Sequence, residues 1–466
     1  MKRAGVLCWV VCVAGAVSTV TARGDWDPNN AEWGKTEATD LRVMTWNVYD
    51  HIDSTETKQE GYNAWCAVAR IVAAMKPDFL LMQETADTGS GDDSVATMQI
   101  VLDLFLHGGT DPFNGNVPVT SYVQKYDPNY DLPYVFVSSE TDGYNRNVIL
   151  SRFPWLDLNG DHISRISDIP TVSADMYAPG GDGGIRGFLF TEIDLDDDTY
   201  VGDIVVGTAH LKAGGTSGDL QERLTAAQNV AYYIDYLLNG AGTGTPDPHN
   251  KIYDSPPATT ILGDNTPVVI TGDWNEDEQT NGRRGPADWL SQAQNSGGTD
   301  GTDRDRTDST YDDAREPFTN QRGTYSSTTK FDYIVWQDSI ATLRRAFVFY
   351  SNNVPTGSLP PELTGYPVPG NASAVASNHR TVIADLIVPL ATCAGQTRGD
   401  VNGDGSINGL DVDAFVEALS NPSQYNIDYA PLTWQCTADA DCDGSMTGLD
   451  VDPFVDCLTG GCAPCP

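Results

Sequence analysis

Several apolar segments of this 466-residue chain run directly into a residue that can bind a metal ion or a phosphate group. These residues are Asn47, Glu84, His210, Asp273 and Asn275, and Asn378 and His379 stand just before a further apolar segment. If the segments are strands of one fold, their ends meet at a common edge, where ligand sites of α/β proteins often lie. We therefore expect these side chains to converge on one site.

The residue types in this set suit metal-assisted hydrolysis of a phosphate ester. Carboxylate and amide oxygens are the ligands that Mg²⁺, Mn²⁺ and Ca²⁺ prefer. A carboxylate can orient or deprotonate the attacking water, and a histidine held by another carboxylate can donate to phosphate oxygens or move a proton. The metal offsets the charge that develops on the phosphate. Any one of these residues alone would more often be a turn former or a structural histidine.

The elements that must position these residues alternate between short strands and helices, from about residue 40 to residue 390. Runs rich in Val, Ile and aromatic residues, bounded by Gly, Asn or Asp, predict the strands. The predicted strands are Leu41–Val48, Phe79–Gln83, Tyr134–Val137, Val148–Ser151, Arg186–Leu195, Ile204–His210, Val268–Gly272, Phe331–Trp336 and Val382–Val388. Helices are predicted at Tyr62–Lys76 and Asp219–Leu238. This mixture predicts a layered α/β domain.

The charge and the N-terminus both point to an extracellular protein. The chain has 27 Lys and Arg against 65 Asp and Glu, a formal net charge of −38. Bulk electrostatic binding of nucleic acid needs the opposite balance. Lys2 and Arg3, an apolar run and the small residues up to Ala22 predict a signal peptide at residues 1–22. We expect a secreted or cell-surface protein without integral membrane association.

Seven short motifs follow one another in a fixed order between residues 40 and 390. They are TWNV at 45–48, LMQE at 81–84, NVILSRFP at 147–154, GTAHLKAG at 207–214, GDWN at 272–275, FDYIVW at 331–336 and NHRTV at 378–382. This order resembles the endonuclease/exonuclease/phosphatase superfamily, which includes DNase I-like nucleases, sphingomyelinases and inositol phosphatases. For residues 23–390 the resemblance implies an α/β fold, a four-layer α/β/β/α sandwich. It also implies Mg²⁺ or Mn²⁺, or alternatively Ca²⁺, in the active site.

The resemblance assigns metal and water-activating roles to four positions. Glu84 is similar to the principal metal ligand of the family, with Asn47 beside it. Asp273 and Asn275 are similar to the pair that activates the water and orients the phosphate.

The resemblance also assigns the histidines and the phosphate contacts. His379 is similar to the catalytic histidine, Asp332 to the carboxylate that orients it, and His210 to a second active-site histidine of nuclease members. Residues just before the LSRFP segment are expected to contact the substrate phosphate; they are Arg146, Asn147 and Tyr144.

One position departs from the family pattern. The family usually has Asp-His where this chain has Asn378-His379. Asn378 keeps an oxygen that can coordinate a metal but lacks the negative charge, so we expect a change in metal affinity or preference.

The substrate stays open between three readings. His210 together with His379 favours a nuclease or phosphodiesterase that acts on DNA or RNA. A phosphatase or phosphodiesterase of small or lipid-linked phosphates is the alternative. The third reading is a catalytically weak scaffold or binding protein, for which Asn378 is the sequence support.

The C-terminal region, residues 398–466, follows a linker at 391–397 and contains a repeated acidic loop. Oxygen-bearing side chains at loop positions one, three, five, nine and twelve, with glycine at six, have the spacing of an EF-hand calcium loop. The first loop offers Asp400, Asn402, Asp404, Asn408 and Asp411, with Ser406 at position seven; the second offers Asp439, Asp441, Asp443, Thr447 and Asp450, with Ser445 at position seven. Each loop leads into a predicted amphipathic helix. We expect a small all-α EF-hand-like domain that binds two Ca²⁺.

The twelfth position of each loop is Asp rather than Glu, which resembles type I dockerin repeats. Dockerins attach secreted enzymes to cohesin modules, so the resemblance implies a cohesin-type partner; a calcium-folded cap or surface anchor is the alternative. Six cysteines between Cys393 and Cys465 predict disulfides without choosing their pairing. Cys66, in the large domain, is expected to be a small buried residue.

Overall fold

The computed structural model describes residues 26–86, 94–138, 145–156, 189–197, 199–233, 262–263, 265–291, 311–391, 396–430, 432–441, 446–460 and 462. The predicted signal peptide, Tyr144, Asp443 and Ser445 lie outside these ranges. Within them, no helix combines the length and the hydropathy needed to cross a bilayer.

The described helices and strands alternate through the large domain. The strands are β1 (Trp26–Asp27), β2 (Glu32–Trp33), β3 (Leu41–Asn47), β4 (Phe79–Gln83), β5 (Gly109–Asp111), β6 (Val117–Val119), β7 (Tyr134–Val137), β8 (Val148–Ser151), β9 (Leu189–Ile193), β10 (Ile204–Thr208), β11 (Val268–Asp273), β12 (Asp332–Trp336), β13 (Thr342–Phe349) and β14 (Thr381–Ile387). The helices are α1 (Ala64–Met75), α2 (Val95–His107), α3 (Val123–Tyr126), α4 (Ser217–Tyr233), α5 (Pro286–Ser291) and α6 (Ala372–Ala376), followed in the C-terminal region by α7 (Asp411–Ser420), α8 (Pro422–Asp428), α9 (Trp434–Thr437) and α10 (Val451–Leu458). Short 3₁₀ turns lie at Pro28–Asn30, Ser351–Asn353, Thr356–Ser358, Pro361–Leu363, Pro369–Asn371 and Gly448–Asp450.

Two sheets carry the strand ends of interest. The larger has the order β13-β14-β3-β4-β8-β7 and the smaller β12-β11-β10-β9. Strands β3 and β4 are parallel, with Asn47 opposite Gln83, so Asn47 and Glu84 emerge side by side. In the smaller sheet β10 and β11 are parallel, and the antiparallel β11–β12 pair sets Asp273 opposite Asp332.

The alternation of side chains along the strands produces three apolar layers. On β4, Phe79 and Leu81 face the four-stranded sheet, whereas Leu80 and Met82 face α1 and α2. On β11, Val269 faces the larger sheet, whereas Val268 and Ile270 pack with α4 and α5. Because successive residues of a strand point to opposite faces, the two sheets bury one face against each other and the other against helices. This is the layered α/β sandwich that the sequence predicts.

Most predicted strands agree with the structure to within a few residues, but β13 and α2 are not predicted by the sequence pattern. In β13 two adjacent arginines interrupt the apolar alternation; Arg42 and Arg345 both pair with the buried Asp385, in the next strand. In α2 apolar residues occupy nearly every position, which obscures the helical period. Its start is set by Ser94, whose side chain accepts a hydrogen bond from the Thr97 amide.

The described C-terminal residues form a separate small core around α7–α10. Phe415 and Phe454, at equivalent positions of the two repeats, stack with their ring centroids 4.0 Å apart. A disulfide joins Cys457 to Cys462, a pairing that the sequence leaves open, and Cys436 is also in a disulfide. In the large domain Cys66 is free and buried.

Candidate active site

Six of the predicted polar residues meet where the two sheets end. Asn47 and Glu84 come from the larger sheet, and His210, Asp273 and Asp332 from the smaller one. His379 precedes β14 and completes the group. Residues separated by hundreds of positions in sequence therefore share one polar cluster, as the sequence predicts.

Asn47 holds the carboxylates of Glu84 and Asp273 together. Its Nδ2 donates to Glu84 Oε1 and to Asp273 Oδ2, both at 3.0 Å. Its Oδ1 accepts the amide of Tyr49 at 3.0 Å. Asn47 thus presents its nitrogen, not its oxygen, to the two acids. To act as the metal ligand that the sequence predicts, Asn47 would have to rotate its side-chain amide so that Oδ1 takes the place of Nδ2.

The Gly272–Asn275 turn brings Asp273 into the cluster by passing very close to the end of β10. A Cβ on Gly272, whose φ is +143°, would lie 1.9 Å from the Ala209 carbonyl oxygen, so only glycine fits. Asn275 has a φ of +53°, which Asn tolerates better than most residues. Its amide donates to Asp273 Oδ1 at 3.0 Å, and its Nδ2 donates to the Leu211 carbonyl at 3.0 Å.

His379 and Asp332 form a buried pair. His379 Nδ1 lies 2.9 Å from Asp332 Oδ2, which leaves Nε2 facing the cluster, 3.5 Å from Asp273 Oδ2. The His379 amide donates to Ser377 Oγ, which in turn donates to the Asn47 carbonyl. These bonds fix the histidine relative to the end of β3.

His210 approaches the same carboxylates from the other side. Its Nε2 lies 3.4 Å from Glu84 Oε1 and 3.6 Å from Asp273 Oδ2. Asp273 is therefore flanked by two imidazoles.

Burial and mutual repulsion disturb the protonation of this cluster. Burial raises the pKa of Asp273 to about 7, with Asp332 and Glu84 adding to the rise, while His379 and the bond from Asn47 oppose it. Burial would lower the pKa of His379, but the charges of Asp332 and Asp273 outweigh it and raise that pKa to about 9. The site therefore concentrates negative charge that a cation would stabilise.

The donor set fits a divalent metal ion. Glu84, His210 and Asp273 offer ligand atoms that all lie within 4.8 Å of one another, and Asp273, Asp332 and His379 form a second such group. Two carboxylates forced together in a buried site, with an imidazole beside them, match the ligand chemistry of ions such as Mg²⁺ and Mn²⁺.

The remaining predicted residues lie around this cluster with less direct contact. Asn378 is exposed, although it adjoins His379. Arg146 and Asn147 are buried. The Arg146 guanidinium donates to the Ser138 carbonyl. The backbone carbonyl of Arg146 accepts a hydrogen bond from the amide of Thr85, the residue after Glu84. Their contact with a phosphate, like that of Tyr144, stays a prediction.

The sequence interpretation missed residues that support the cluster. Gln83 Nε2 donates to Thr208 Oγ1 of the opposite sheet at 2.8 Å and to Thr45 Oγ1 at 3.1 Å, which ties the two sheets together below the site. Its alternation with Phe79 and Leu81 already places Gln83 on the face between the sheets. Tyr325, whose ring packs against His379, has no comparable sequence signal.

Comparison with models of known protein families gives a match over much of the chain. A model of the endonuclease/exonuclease/phosphatase family matches residues 44–358. No curated protein matches the chain.

Similar solved structures share low sequence identity with the chain. An endonuclease/exonuclease/phosphatase from Beutenbergia cavernae is 16% identical, covers 75% of this chain and 72% of its own, and has a TM-score of 0.40. TDP2 of D. rerio complexed with a single-strand DNA product is 14% identical (75% and 100% covered, TM-score 0.37). The human Nocturnin catalytic domain with a bound sulfate anion is 13% identical (75% and 95% covered, TM-score 0.39).

Proposed function

The chain belongs to the endonuclease/exonuclease/phosphatase family and is a metal-dependent phosphoric ester hydrolase, and we propose that it is a secreted phosphodiesterase that acts on nucleic acid. The observation that carries the proposal is the placement of Asp273 between two imidazoles, with His379 oriented by Asp332. The second imidazole, His210, supports a nuclease because its position resembles that of the second active-site histidine in nuclease members of the family.

The carboxylates of Glu84 and Asp273 would hold the metal ion. When bound, the ion would polarise the phosphoryl group and offset its developing charge. Asn47 keeps the two carboxylates at a fixed separation, which preorganises the site. The Asn378 side chain is exposed, so its oxygen can coordinate the metal ion only after the side chain turns inward.

Different residues accept and donate protons around the phosphate. The Asp273 carboxylate is positioned to accept a proton from the attacking water, and Asn275 holds that carboxylate through its backbone amide. His379, held through Nδ1 by Asp332, presents Nε2–H to a phosphate oxygen and can return a proton to the leaving oxygen. His210, whose Nε2 faces the same carboxylates, would donate to another phosphate oxygen.

The C-terminal loops are proposed to bind two Ca²⁺. Asp411 accepts the amides of Asn402 at 3.0 Å and Asn408 at 2.8 Å, which curls the first loop around its acids. Asp400 Oδ1 is buried and has no hydrogen-bond partner among the described residues. In the second loop, Asp439, Asp441 and Asp450 offer oxygens within 4.8 Å of one another.

The loop geometry supports the EF-hand interpretation for residues 398–466. Together with the predicted signal peptide, we propose a secreted enzyme whose dockerin-like region attaches it to a cohesin-type partner or to a surface.

The activity is tested on the purified full-length chain. Plasmid DNA, RNA, a bis-aryl phosphodiester and an inositol phosphate are each incubated with Mg²⁺, Mn²⁺ or Ca²⁺. We expect DNA or RNA and the bis-aryl diester to be cleaved and His379→Ala to abolish the cleavage. If neither the wild type nor the variant cleaves any of the four substrates, the proposal is overturned. Cleavage of the inositol phosphate alone would favour the phosphatase alternative.

A further inference from the structure

Tyr325 is a half-exposed aromatic ring at the edge of the active site. Its ring centroid lies 5.2 Å from that of His379 and 5.2 Å from that of Phe331, with which it stacks. The residue nevertheless keeps 49% of its surface exposed. One side of the ring is thus supported by the protein while much of its remaining surface is open to a ligand.

The turn that carries Tyr325 is held rigidly. The amides of Thr324 and Tyr325 both donate to the Thr329 carbonyl, at 2.9 and 3.1 Å, and the Thr329 amide donates to Ser326 Oγ at 3.0 Å. Thr324 Oγ1 accepts the amide of Asp332, the partner of His379. The ring is therefore fixed relative to the catalytic pair before any ligand binds, which lowers the entropy cost of binding against it.

A second half-exposed ring belongs to Tyr49, two residues after Asn47. Tyr49 is also 49% exposed, and its amide is the donor to Asn47 Oδ1. Its ring meets His51 edge to face, with 5.6 Å between centroids. Tyr49 follows β3 of the larger sheet and Tyr325 precedes β12 of the smaller sheet, so two exposed rings adjoin strands that carry site residues.

Exposed rings suit this acidic chain because stacking needs no positive charge. With a net charge of −38, the protein cannot rely on a broad basic surface to bind a phosphate backbone. A nucleobase can stack on a tyrosine whatever its identity, provided that it is unpaired. A base inside a duplex is already stacked on its neighbours and would first have to be extruded.

We propose that Tyr325 is a stacking platform for an unpaired nucleobase next to the scissile phosphate, which makes single-stranded nucleic acid the preferred substrate. The inference rests on the proposed function and names the substrate class of the same site. Tyr325 acts as a substrate-positioning residue; the base that stacks on it places the adjacent phosphate over Asp273 and His379.

The test compares two substrates of equal charge: a short single-stranded oligodeoxynucleotide, and an oligomer of the same length in which every nucleotide is an abasic tetrahydrofuran unit. The full-length wild type is assayed with Tyr325→Leu, Tyr325→Phe and the control Tyr62→Leu. Tyr62 is 53% exposed, but its ring packs against Tyr366, not against the active site.

We expect the wild type to prefer the base-bearing oligomer and Tyr325→Leu to lose most of that preference, through a KM that rises roughly 5- to 50-fold for this substrate alone. Tyr325→Phe should retain the preference because it keeps the ring, and Tyr62→Leu should behave as wild type.

Three results would overturn the inference without touching the proposed function. One is an unchanged preference in Tyr325→Leu. Another is an equal loss on both oligomers, which would mean that Tyr325 only supports His379. The third is a wild type that cleaves plasmid DNA or RNA but neither oligomer. Only a wild type that cleaves no nucleic acid would contradict the proposed function itself.

Direct binding gives a second measurement that does not depend on turnover. An oligonucleotide that carries 2-aminopurine is titrated with the His379→Ala variant, and its fluorescence is expected to fall as the base stacks. The fall should disappear in the double variant His379→Ala, Tyr325→Leu. Binding without loss of fluorescence in His379→Ala would overturn the inference.

Discussion

Two regions of this molecule gather carboxylates, and they do so in opposite ways. The active site joins residues that are far apart in sequence. Asn47 and Asp273, which share a hydrogen bond, are 226 positions apart, and Trp46 donates to the carbonyl of His379, 333 positions away. The first C-terminal loop collects its acids within twelve consecutive positions, from Asp400 to Asp411. One site depends on the whole sandwich and the other on a single turn of chain.

The two regions also stabilise their negative charge differently. In the active site, imidazoles and the Asn47 amide surround the carboxylates, and the surrounding strands bury them. In the first loop, backbone amides bind Asp411, while Asp404 stays exposed. The site can therefore keep its shape without an ion, whereas the acids of the loop would need the proposed Ca²⁺ to hold them together. The predictions below test this difference, from the largest effect to the smallest.

Replacement of His379 should have the largest effect. His379→Ala removes the proposed donor to the phosphate, so we expect kcat to fall by roughly 10²- to 10⁴-fold. The matched control is His107→Ala, because His107 bridges Asp103 and Asp131 on the surface. Steady-state kinetics and circular dichroism of both variants check the prediction. Comparable losses in the two would mean that the effect is not specific to the site.

Glu84→Gln should weaken the metal site while the fold persists. The variant keeps the side-chain shape and removes a charge, so we expect the metal concentration that gives half-maximal activity to rise by at least about 10-fold. Mg²⁺ and Mn²⁺ titrations of activity measure it. The control is Asp411→Asn in the C-terminal loop, which should leave the titration unchanged. A shift in the control would mean that the two regions are coupled.

Removal of calcium should affect the C-terminal region alone. Because the loop acids repel one another without an ion, we expect the helices around Phe415 and Phe454 to lose order and their unfolding transition to move to lower temperature. Differential scanning calorimetry with and without Ca²⁺ records this transition separately from that of the sandwich. An unchanged thermogram would contradict calcium binding by the loops. A shift of the sandwich transition alone would mean that the sandwich, and not the C-terminal region, depends on Ca²⁺ for its stability.

The smallest effect is expected at the exposed Asn378. Asn378→Asp restores the charge that the family pattern contains, so we expect a few-fold tighter metal titration of activity. The gain is limited because the side chain must turn inward from solvent. An unchanged titration would show that this position contributes no metal contact.

Much of the sandwich was predictable from sequence because strands carry a local signal. Buried runs such as Phe79–Gln83 and Val148–Ser151 agree with the observed strands residue for residue. Elements whose stability comes from distant partners gave no such signal. In β13, Arg345 pairs with Asp385 of the neighbouring strand and its guanidinium lies 4.3 Å from the Trp26 ring. Neither contact is visible in the local pattern.

The candidate site was predictable as a set of residues but not as a geometry. Motif order identified Glu84, Asp273 and His379. It did not reveal that Asn47 directs its nitrogen to the carboxylates, because the direction of an amide depends on the Tyr49 amide that occupies its oxygen. It also did not reveal Tyr325, since a tyrosine in a polar turn looks like any surface residue until the turn folds against His379.

The sequence by itself determined the chemistry that is available: the residue types at the strand ends, the glycine that the turn at Gly272 needs, and the spacing of acids in the C-terminal loops. These are properties of neighbouring residues, which local sterics and local hydrogen bonds decide. Only the tertiary structure decided which oxygen and nitrogen atoms face one another, how deeply Asp273 and Asp332 are buried, and which rings border the site. Those features depend on the packing of two sheets whose strands are distant in the chain, and no local pattern encodes that packing.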